Sequence, residues 1–262
     1  MTTPADSTSV LPPTPADGEP PPLWFNVPDG FFALPLAATP EERAERAQSF
    51  VRGLYSRGDE TIWEPAAPYY VAIAELMAES GVSYSAMGLF STAEESDSDN
   101  DADEGGAGAA AGDEAEEEVE VRHEGTDGVA QCAFTVAAVP TDQAGADTDV
   151  VAQGILAILS RDPHNDARWL DLPCGPAVSC ITLSEYKLSA EVTESGEAMD
   201  LLTGQIQVHV PFPTGPFTAI FTLYTASTDY WVEFCDMTAA ILQTVSFTEP
   251  DAEMIDGDSN GV

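Results

Sequence analysis

The feature that most constrains this chain is a 34-residue stretch with almost nothing to bury. Residues 94–127 contain fifteen Asp and Glu but a single basic residue, Arg122. Apolar burial within such a segment cannot offset the entropy lost on ordering, so the composition predicts a disordered insertion. The segments on both sides of it show strand-like alternation. Each doubling of the length of a surface loop costs only about 0.6 kcal/mol of loop-closure free energy, so a long loop between two strands is tolerated. The fold must therefore come from residues 23–93 and 128–248, with the insertion as an enlarged hairpin loop.

The excess of acid is concentrated outside these two folding stretches. The chain has 46 acidic and 8 basic residues, a formal net charge of −38, of which residues 94–127 carry −14. Phosphate binding depends on Lys and Arg, so nucleic acid is disfavoured as a ligand, and an anionic membrane surface would repel the chain. A basic protein or a cation would be attracted. Solubility or adaptation to high salt is the alternative, but a halophilic protein should spread acid over its folded surface. Here the folding stretches hold less than half of the net charge.

The two ends of the chain also predict disorder. Residues 1–22 contain seven prolines and are predicted to form a disordered proline-rich leader, and residues 249–262 are predicted to form an acidic tail. The leader lacks the basic and apolar regions of a secretory signal, and no run approaches the roughly 18 apolar residues that span a bilayer. We therefore expect a single α+β domain over residues 23–248, interrupted by the disordered acidic insertion, in a cytoplasmic protein without membrane insertion.

Helix and strand signals are clear in the first folding stretch. The turn at residues 28–30 predicts a hairpin of two short strands, because Pro presets φ and Gly accepts a positive φ. Thr39 can cap a helix that has Pro40 in its first position, with Glu42 completing a capping box. The remaining predictions here are a helix from about Pro65 to Glu79 that buries Tyr69, Tyr70, Ile73, Leu76 and Met77 and ends at Gly81, followed by a strand over residues 82–90.

The second folding stretch is dominated by a period of two, which is typical of strands. Residues 128–139 form the first strand, across the insertion from residues 82–90. A helix opened by residues 147–149 should turn Val151, Ile155, Ile158 and Leu159 inward. Further along, the pattern predicts strands at residues 168–172 and 175–185, a hairpin of residues 201–210 and 217–225, a helix from Ser227 or Thr228 to Gln243, and a short edge strand at residues 245–247.

This order of elements resembles the Mog1/PsbP-like fold, and within it an uncharacterised actinobacterial branch, some of whose members sit near type VII secretion genes. The resemblance covers residues 23–93 and 128–248. It implies an α+β fold with an antiparallel sheet flanked by helices on both faces, an α/β/α sandwich. It also implies a non-catalytic binding or assembly role, with no catalytic residues to carry over. The residues that carry it are the turn at 26–31, the hairpin residues Ile206, Val208, Val210, Ile220, Phe221 and Leu223, and the helix residues Trp231, Phe234 and Ile241.

Few residues have recognisable chemistry. His209 lies on a strand whose apolar neighbours look buried, so it is expected to face solvent. The turn at residues 162–166 places His164 between two Asp residues, which could bind a divalent metal but is equally typical of a turn that ends a helix. No EF-hand loop, P-loop, G-x-S-x-G or H-E-x-x-H motif occurs, so no catalytic residue, metal ligand or cofactor is predicted. Free buried thiols are expected, with a Cys174–Cys180 disulfide as the alternative, for the four cysteines Cys132, Cys174, Cys180 and Cys235.

The first helix carries half of the basic charge of the chain, on Arg43, Arg46, Arg52 and Arg57. Pairing within the helix, such as Glu42 with Arg46, is the expected role of these side chains. Docking of an acidic partner, or of the protein's own insertion, is the alternative.

The function that these features favour is a non-enzymatic protein-interaction or assembly factor, secretion-associated by resemblance, whose acidic insertion steers a basic protein partner. The alternative is an immunity-type inhibitor or nucleic-acid mimic, which would cover a basic surface with the folded-body acids Glu185, Glu191, Glu194 and Glu197. An enzyme of unrecognised type would need a deep polar pocket with perturbed titratable groups. The predicted partner-binding residues lie in the densest part of the insertion and are Asp113, Glu114, Glu116, Glu117, Glu118 and Glu120.

Overall fold

A computed structural model describes residues 8–10, 20–92, 128–142, 145–191, 193 and 196–249. The α+β class is confirmed, because four helices accompany a large antiparallel sheet in this part of the chain. The helices are α1 (Pro40–Leu54), α2 (Glu60–Glu79), α3 (Thr148–Leu159) and α4 (Trp231–Gln243). The strands are β1 (Thr8–Val10), β2 (Trp24–Asn26), β3 (Phe31–Ala33), β4 (Val82–Ser91), β5 (Val129–Pro140), β6 (Asp166–Leu172), β7 (Gly175–Leu188), β8 (Met199–Pro211) and β9 (Phe217–Thr225).

Seven of these strands form one sheet in the order β3-β4-β5-β9-β8-β7-β6, and every pairing in it is antiparallel. The predicted pairing across the acidic insertion is confirmed, since β4 and β5 are neighbours with Ser91 opposite Val129. The predicted β8–β9 hairpin is also confirmed. Its strand β9 lies beside β5, with Leu223 opposite Phe134, so the two hairpins join in the middle of the sheet.

The main core forms where one side of this sheet meets α4 and β2. Along β5 the burial alternates strictly, with Ala130, Cys132, Phe134 and Val136 buried, as a period of two requires. The ring of Phe134 lies within 6.4 Å of four other aromatic rings, those of Phe25, Phe31, Tyr84 and Phe221. From α4 the buried residues Phe234, Ile241 and Leu242 complete the cluster.

The predicted hairpin at the start of the folded chain is wrong. β2 pairs with β1 and makes a single bridge from Trp24 to Ser246, whereas β3 joins the edge of the large sheet against β4. Phe25 explains the separation, because its fully buried side chain packs edge-on against Phe221 at 5.6 Å between ring centroids and so holds β2 over the sheet. The β1 strand lies within the leader that the composition predicts to be disordered. The predicted last strand is limited in the structure to that one bridge at Ser246.

Helices α1 and α2 pack together and form a second, smaller core, which we call the helix-pair core. Thr39 caps α1 as predicted, its Oγ1 accepting a hydrogen bond from the amide of Glu42 at 3.2 Å. The predicted start of α2 at Pro65 is wrong, because Asp59 caps the helix and Pro65 and Pro68 lie inside it. Tyr69 and Leu76 are exposed, not buried as predicted. The residues buried in the helix-pair core are Ala47, Phe50, Val51, Ala67 and Tyr70, with Phe32 and Met87 from the sheet packed against them.

Helix α3 has a side-chain cap at its predicted start, whereas α4 does not. Asp147 caps α3 by accepting a hydrogen bond from the amide of Asp149 at 3.1 Å, and the helix buries Val151 and Ala152 against β6, β7 and β8. Its predicted inward residue Ile158 is instead exposed. The last helix is preceded by a 3₁₀ turn at Thr228–Tyr230, and Ser227 does not cap it through its side chain.

Candidate functional site

The β7–β8 hairpin projects beyond both of its neighbours in the sheet. β6 pairs with β7 only as far as Asp166 opposite Ile181, and β9 pairs with β8 only as far as Thr225 opposite Gly204. β7 and β8 stay paired with each other out to Leu188 opposite Met199. We call this two-stranded projection, residues 183–188 and 199–204, the ribbon.

The ribbon exposes large apolar side chains on both of its sides. Side chains alternate along a strand, so Leu183 and Leu202 lie on the same side of the sheet as the main core, while Tyr186 and Met199 lie on the other. Clustered apolar exposure of this kind is typical of an interaction surface. The exposed fractions are 57% for Leu183, 50% for Tyr186, 49% for Met199 and 46% for Leu202.

The ribbon is not predicted by the sequence pattern, which ends β7 at residue 185 and begins β8 at residue 201, whereas the two strands pair out to Leu188 and Met199. The missed signal lies in residues 183–188, where Leu183 and Leu188 are an odd number of positions apart and so place apolar side chains on opposite sides. Such a pattern does not fit a strand with one side in a core. It fits a strand with no core on either side.

At its base the ribbon is held against the start of α4. The ring of Trp231 lies so close to Gly204 that any side chain at this position would collide with it. Glycine is therefore required here by close approach, which leaves the ring room to pack across β8. The next residue of α4, Val232, is also exposed.

The acidic insertion leaves the sheet at the same end as the ribbon. Five residues on five neighbouring strands lie side by side, each paired with the next: Met87, Ala133, Tyr224, Gln205 and Thr182. From that row, the pairing of β4 with β5 continues to Ser91 opposite Val129, beyond which the insertion begins. The pairing of β7 with β8 continues in the same direction to Leu188 opposite Met199 at the ribbon tip. A backbone hydrogen bond of 2.7 Å from Thr92 to Gly128 ties the base of the insertion together.

The ribbon and the base of the acidic insertion lie close together. β5 and β8 are separated only by β9, which places their axes about 10 Å apart at the usual strand spacing. The partner-binding acids predicted within the insertion, Asp113, Glu114, Glu116, Glu117, Glu118 and Glu120, lie outside the described residues.

The ribbon itself carries a cross-strand ion pair and additional acid. Lys187 Nζ lies 3.3 Å from Asp200 Oδ1, and both side chains are largely exposed, so the pair contributes at most about 1 kcal/mol to stability. Glu185 faces Leu202 across the ribbon. Of the other acids assigned to the inhibitor alternative, Glu191 and Glu197 lie in the turn beyond the tip, and Glu194 is outside the described residues.

A groove lies between α1 and α2, apart from the ribbon. It has a volume of about 460 Å³ and a mainly apolar lining. The guanidinium of Arg52 lies 5.7 Å from the centre of the Trp63 ring, and Trp63 Nε1 donates a 3.0 Å hydrogen bond to the carbonyl of Tyr55. The lining residues are Ala44, Gln48 and Arg52 of α1 and Glu60, Trp63, Glu64, Ala67, Pro68 and Val71 of α2.

The arginines of α1 bind groups outside their own helix. Arg43 forms a 2.6 Å ion pair with Glu75 of α2, and Arg46 donates a 3.0 Å hydrogen bond to the carbonyl of Leu36. The predicted pairing of Arg46 with Glu42 is therefore wrong. These contacts fix α1 to α2 and to the segment before α1, which is a structural role.

The prediction for His209 is also wrong, because its Nε2 is buried and has no hydrogen-bond partner. Burial lowers the pKa of this imidazole, since removal from water disfavours the charged form. His164 lies in the predicted turn, where its backbone amide donates a 2.9 Å hydrogen bond to Asp162 Oδ1. Among the described residues, no group of three or more His, Cys, Asp or Glu side chains is placed to hold a metal ion.

All four cysteines are free thiols. Cys132 and Cys180 are buried as predicted, whereas Cys174 and Cys235 are only partly buried. Burial raises the pKa of Cys132 to about 12 and also raises the pKa of Cys174. A thiol that stays protonated at neutral pH is a poor nucleophile, so neither of these two residues suits cysteine catalysis.

No family model, curated protein or solved structure matches this chain. Among the described helices, of which α2 is 20 residues long, none carries an apolar run that could span a bilayer.

Proposed function

We propose that this protein is a non-enzymatic interaction or assembly factor that binds a basic protein partner at the ribbon end of its sheet. One observation carries the proposal: the exposed apolar ribbon and the base of the acidic insertion lie at the same end, two strands apart. Apolar side chains supply short-range contact area, and a dense negative charge beside them supplies long-range attraction.

The fold we propose is the α/β/α sandwich of the Mog1/PsbP-like type, with helices on both faces of the sheet. Support comes from two neighbouring residues of β4. Met87 packs with the helix-pair core, whereas the adjacent Ala86 pairs with Phe134 of the main core, which α4 covers. Adjacent residues of a strand point to opposite faces, so the two clusters take opposite sides of β4.

Binding would proceed in two steps. The insertion, with a net charge of −14, raises the encounter rate with a basic surface, an effect that falls steeply as salt is added. The ribbon and Val232 then supply the contacts that determine how long the complex lasts. A secretion-associated role follows from the family resemblance alone and is part of this proposal.

The experiment compares the wild-type chain with a variant in which the fifteen acids of residues 94–127 are replaced by Asn and Gln. This variant keeps the length of the insertion and removes its charge. Both proteins are used to capture partners from source-cell lysate at low and high salt. Each captured basic protein is then purified, and its association and dissociation rates are measured.

We expect the neutral-insertion variant to associate at least tenfold more slowly at low salt, with little change in dissociation. The matched control is Leu183→Ser with Leu202→Ser, which leaves the insertion intact and should accelerate dissociation. Equal association rates for wild type and the neutral-insertion variant would contradict steering. If instead substitution of Glu185, Glu191 and Glu197 abolished binding while the insertion had no effect, the inhibitor alternative would replace the proposal.

A further inference from the structure

The ribbon also has an open strand edge, which is a feature distinct from its exposed side chains. β6 stops pairing with β7 at Ile181, and the side chain of Thr182 hydrogen-bonds to Asn165 Oδ1 at 3.4 Å just beyond that point. From Leu183 to Leu188, β7 pairs only with β8 among the described strands. A strand has two hydrogen-bonding edges, so alternate backbone N–H and C=O groups of this stretch point away from the sheet.

This edge lacks most of the protection that sheet edges usually have. Proteins protect edges with short strands, prolines, bulges or charges. Here the edge is six residues long, contains no proline and keeps regular register with β8. Its one basic side chain, Lys187, is paired with Asp200 of the neighbouring strand, which neutralises the charge that would otherwise repel a basic segment.

We propose that residues Leu183–Leu188 bind an extended, basic segment of the partner by strand addition, so that the partner continues the sheet beyond β7. This inference rests on the proposed function and specifies how the partner binds. Backbone hydrogen bonds to the open edge would supply affinity, and side-chain neighbours would supply selectivity. A basic residue would lie opposite Glu185, and an apolar residue would lie opposite Tyr186 on the other side of the strand.

Charge favours a basic segment over a second copy of this chain as the strand that binds this edge. Two identical chains that each carry a net charge of −38 repel one another, whereas a basic segment is attracted to the same edge. The stretch has Glu185 in its middle, and Glu191 follows Leu188 by three residues. At the other end, Asp162 accepts a backbone hydrogen bond from Asn165, the residue that Thr182 contacts.

The test uses the full chain and a synthetic probe, a blocked seven-residue peptide of alternating valine and lysine. The control peptide has the same sequence but is N-methylated at every residue, which keeps its side chains and charge and removes the backbone hydrogen-bond donors from both of its edges. Binding is measured by calorimetry, and backbone amide exchange of residues 183–188 is followed by hydrogen–deuterium exchange.

We expect the unmethylated peptide to bind more than tenfold more tightly, since several backbone hydrogen bonds are lost in the control. Exchange should slow in residues 183–188 and stay unchanged in α2. Glu185→Lys should weaken binding by about two- to fivefold, as expected for loss of an opposite-charge cross-strand pair and gain of a like-charge one. The matched control Glu79→Lys makes the same change of net charge at an exposed site of α2 and should have a smaller effect.

Three outcomes would overturn the inference. Equal binding of the two peptides, with salt-dependent binding of the basic partner intact, would mean that charge alone acts and would leave the proposed function standing. Unchanged exchange at residues 183–188 in the presence of saturating peptide would place the contact elsewhere. Slow exchange of those residues without peptide, together with a concentration-dependent doubling of mass, would assign the edge to a second copy of the chain.

Discussion

The main core and the ribbon are built from the same antiparallel strands but differ in where their apolar side chains lie. In the main core, β5 buries every second residue from Ala130 to Val136 under α4 and β2. In the ribbon, apolar side chains are exposed on both sides of β7 and β8. The comparison shows that the ribbon contributes little to the folded core, and its exposed apolar surface is the one that the proposed partner would cover.

Phe134→Ala would test the main-core side of this comparison and should have the largest effect. Phe134 is fully buried among four aromatic rings, and truncation of such a phenylalanine costs about 3–5 kcal/mol of unfolding free energy. Urea denaturation followed by circular dichroism measures the loss. Tyr69→Ala, at an exposed residue of α2, is the control and should stay close to wild type. A Phe134→Ala variant that lost less than 1 kcal/mol would mean that the main core is not packed as described.

Gly204→Ala would test the junction between the two regions. The added methyl group collides with the ring of Trp231, and overpacking of this kind costs about 1–3 kcal/mol. Denaturation of Gly204→Ala, Trp231→Leu and the double variant measures the coupling between the two residues. We expect the double variant to be more stable than the sum of the single effects predicts, because a smaller side chain at residue 231 leaves room for the methyl group. Strict additivity would argue against the contact.

His209→Gln would test the pH dependence of the sheet that supports the ribbon. The folded-state pKa of His209 is lowered by burial, so the unfolded chain binds more protons near and below pH 6.5. Stability contributed by the neutral imidazole is therefore present at pH 7 and is lost as pH falls below about 6.5. The variant should lose less stability between pH 7 and pH 5 than wild type, as measured by urea denaturation at each pH. His164→Gln, in an exposed turn, is the matched control, and equal slopes for wild type and His209→Gln would contradict the prediction.

Substitutions on the ribbon should have the smallest effect on stability. Leu183→Ser and Leu202→Ser replace exposed side chains, so each should change the unfolding free energy by no more than about 0.5 kcal/mol. Denaturation checks this, and size-exclusion chromatography at increasing concentration checks whether the variants also associate less with themselves. A loss of 2 kcal/mol or more from either substitution would show that the ribbon belongs to the core and would remove the distinction between the two regions.

Much of the fold could be predicted from local patterns. The caps at Thr39 and Asp147 were found because their side chains bond to amides only two or three residues away. The strands β4, β5, β8 and β9 were found because their apolar residues alternate against a covered face. Such signals are complete within a few residues of sequence, so they can be interpreted without knowledge of the rest of the chain.

The wrong predictions share one cause: each concerns a residue whose environment is set by contacts with residues far away in the sequence. Tyr69 and Leu76 fit a buried helical stripe, yet α2 packs its small residues Ala67 and Ala74 inward and turns these larger ones outward. His209 was assigned to solvent from its neighbours on β8, and its burial depends on what packs over that strand. The open edge at Leu183–Leu188 arises because β6 is shorter than β7, which no local pattern within β7 reveals.

The sequence by itself determined most of the helices and the central strands, which side of each central strand is apolar, and that residues 94–127 carry charge but little to bury. These properties follow from composition and from the periods of helix and strand, which are local. Only the tertiary structure decided that β2 pairs with β1 and not with β3, and that the pairing of β7 with β8 extends beyond their neighbours at the end where the insertion begins. Strand order and relative strand length depend on pairing between residues far apart in the chain, and that pairing is set by the free energy of the whole fold.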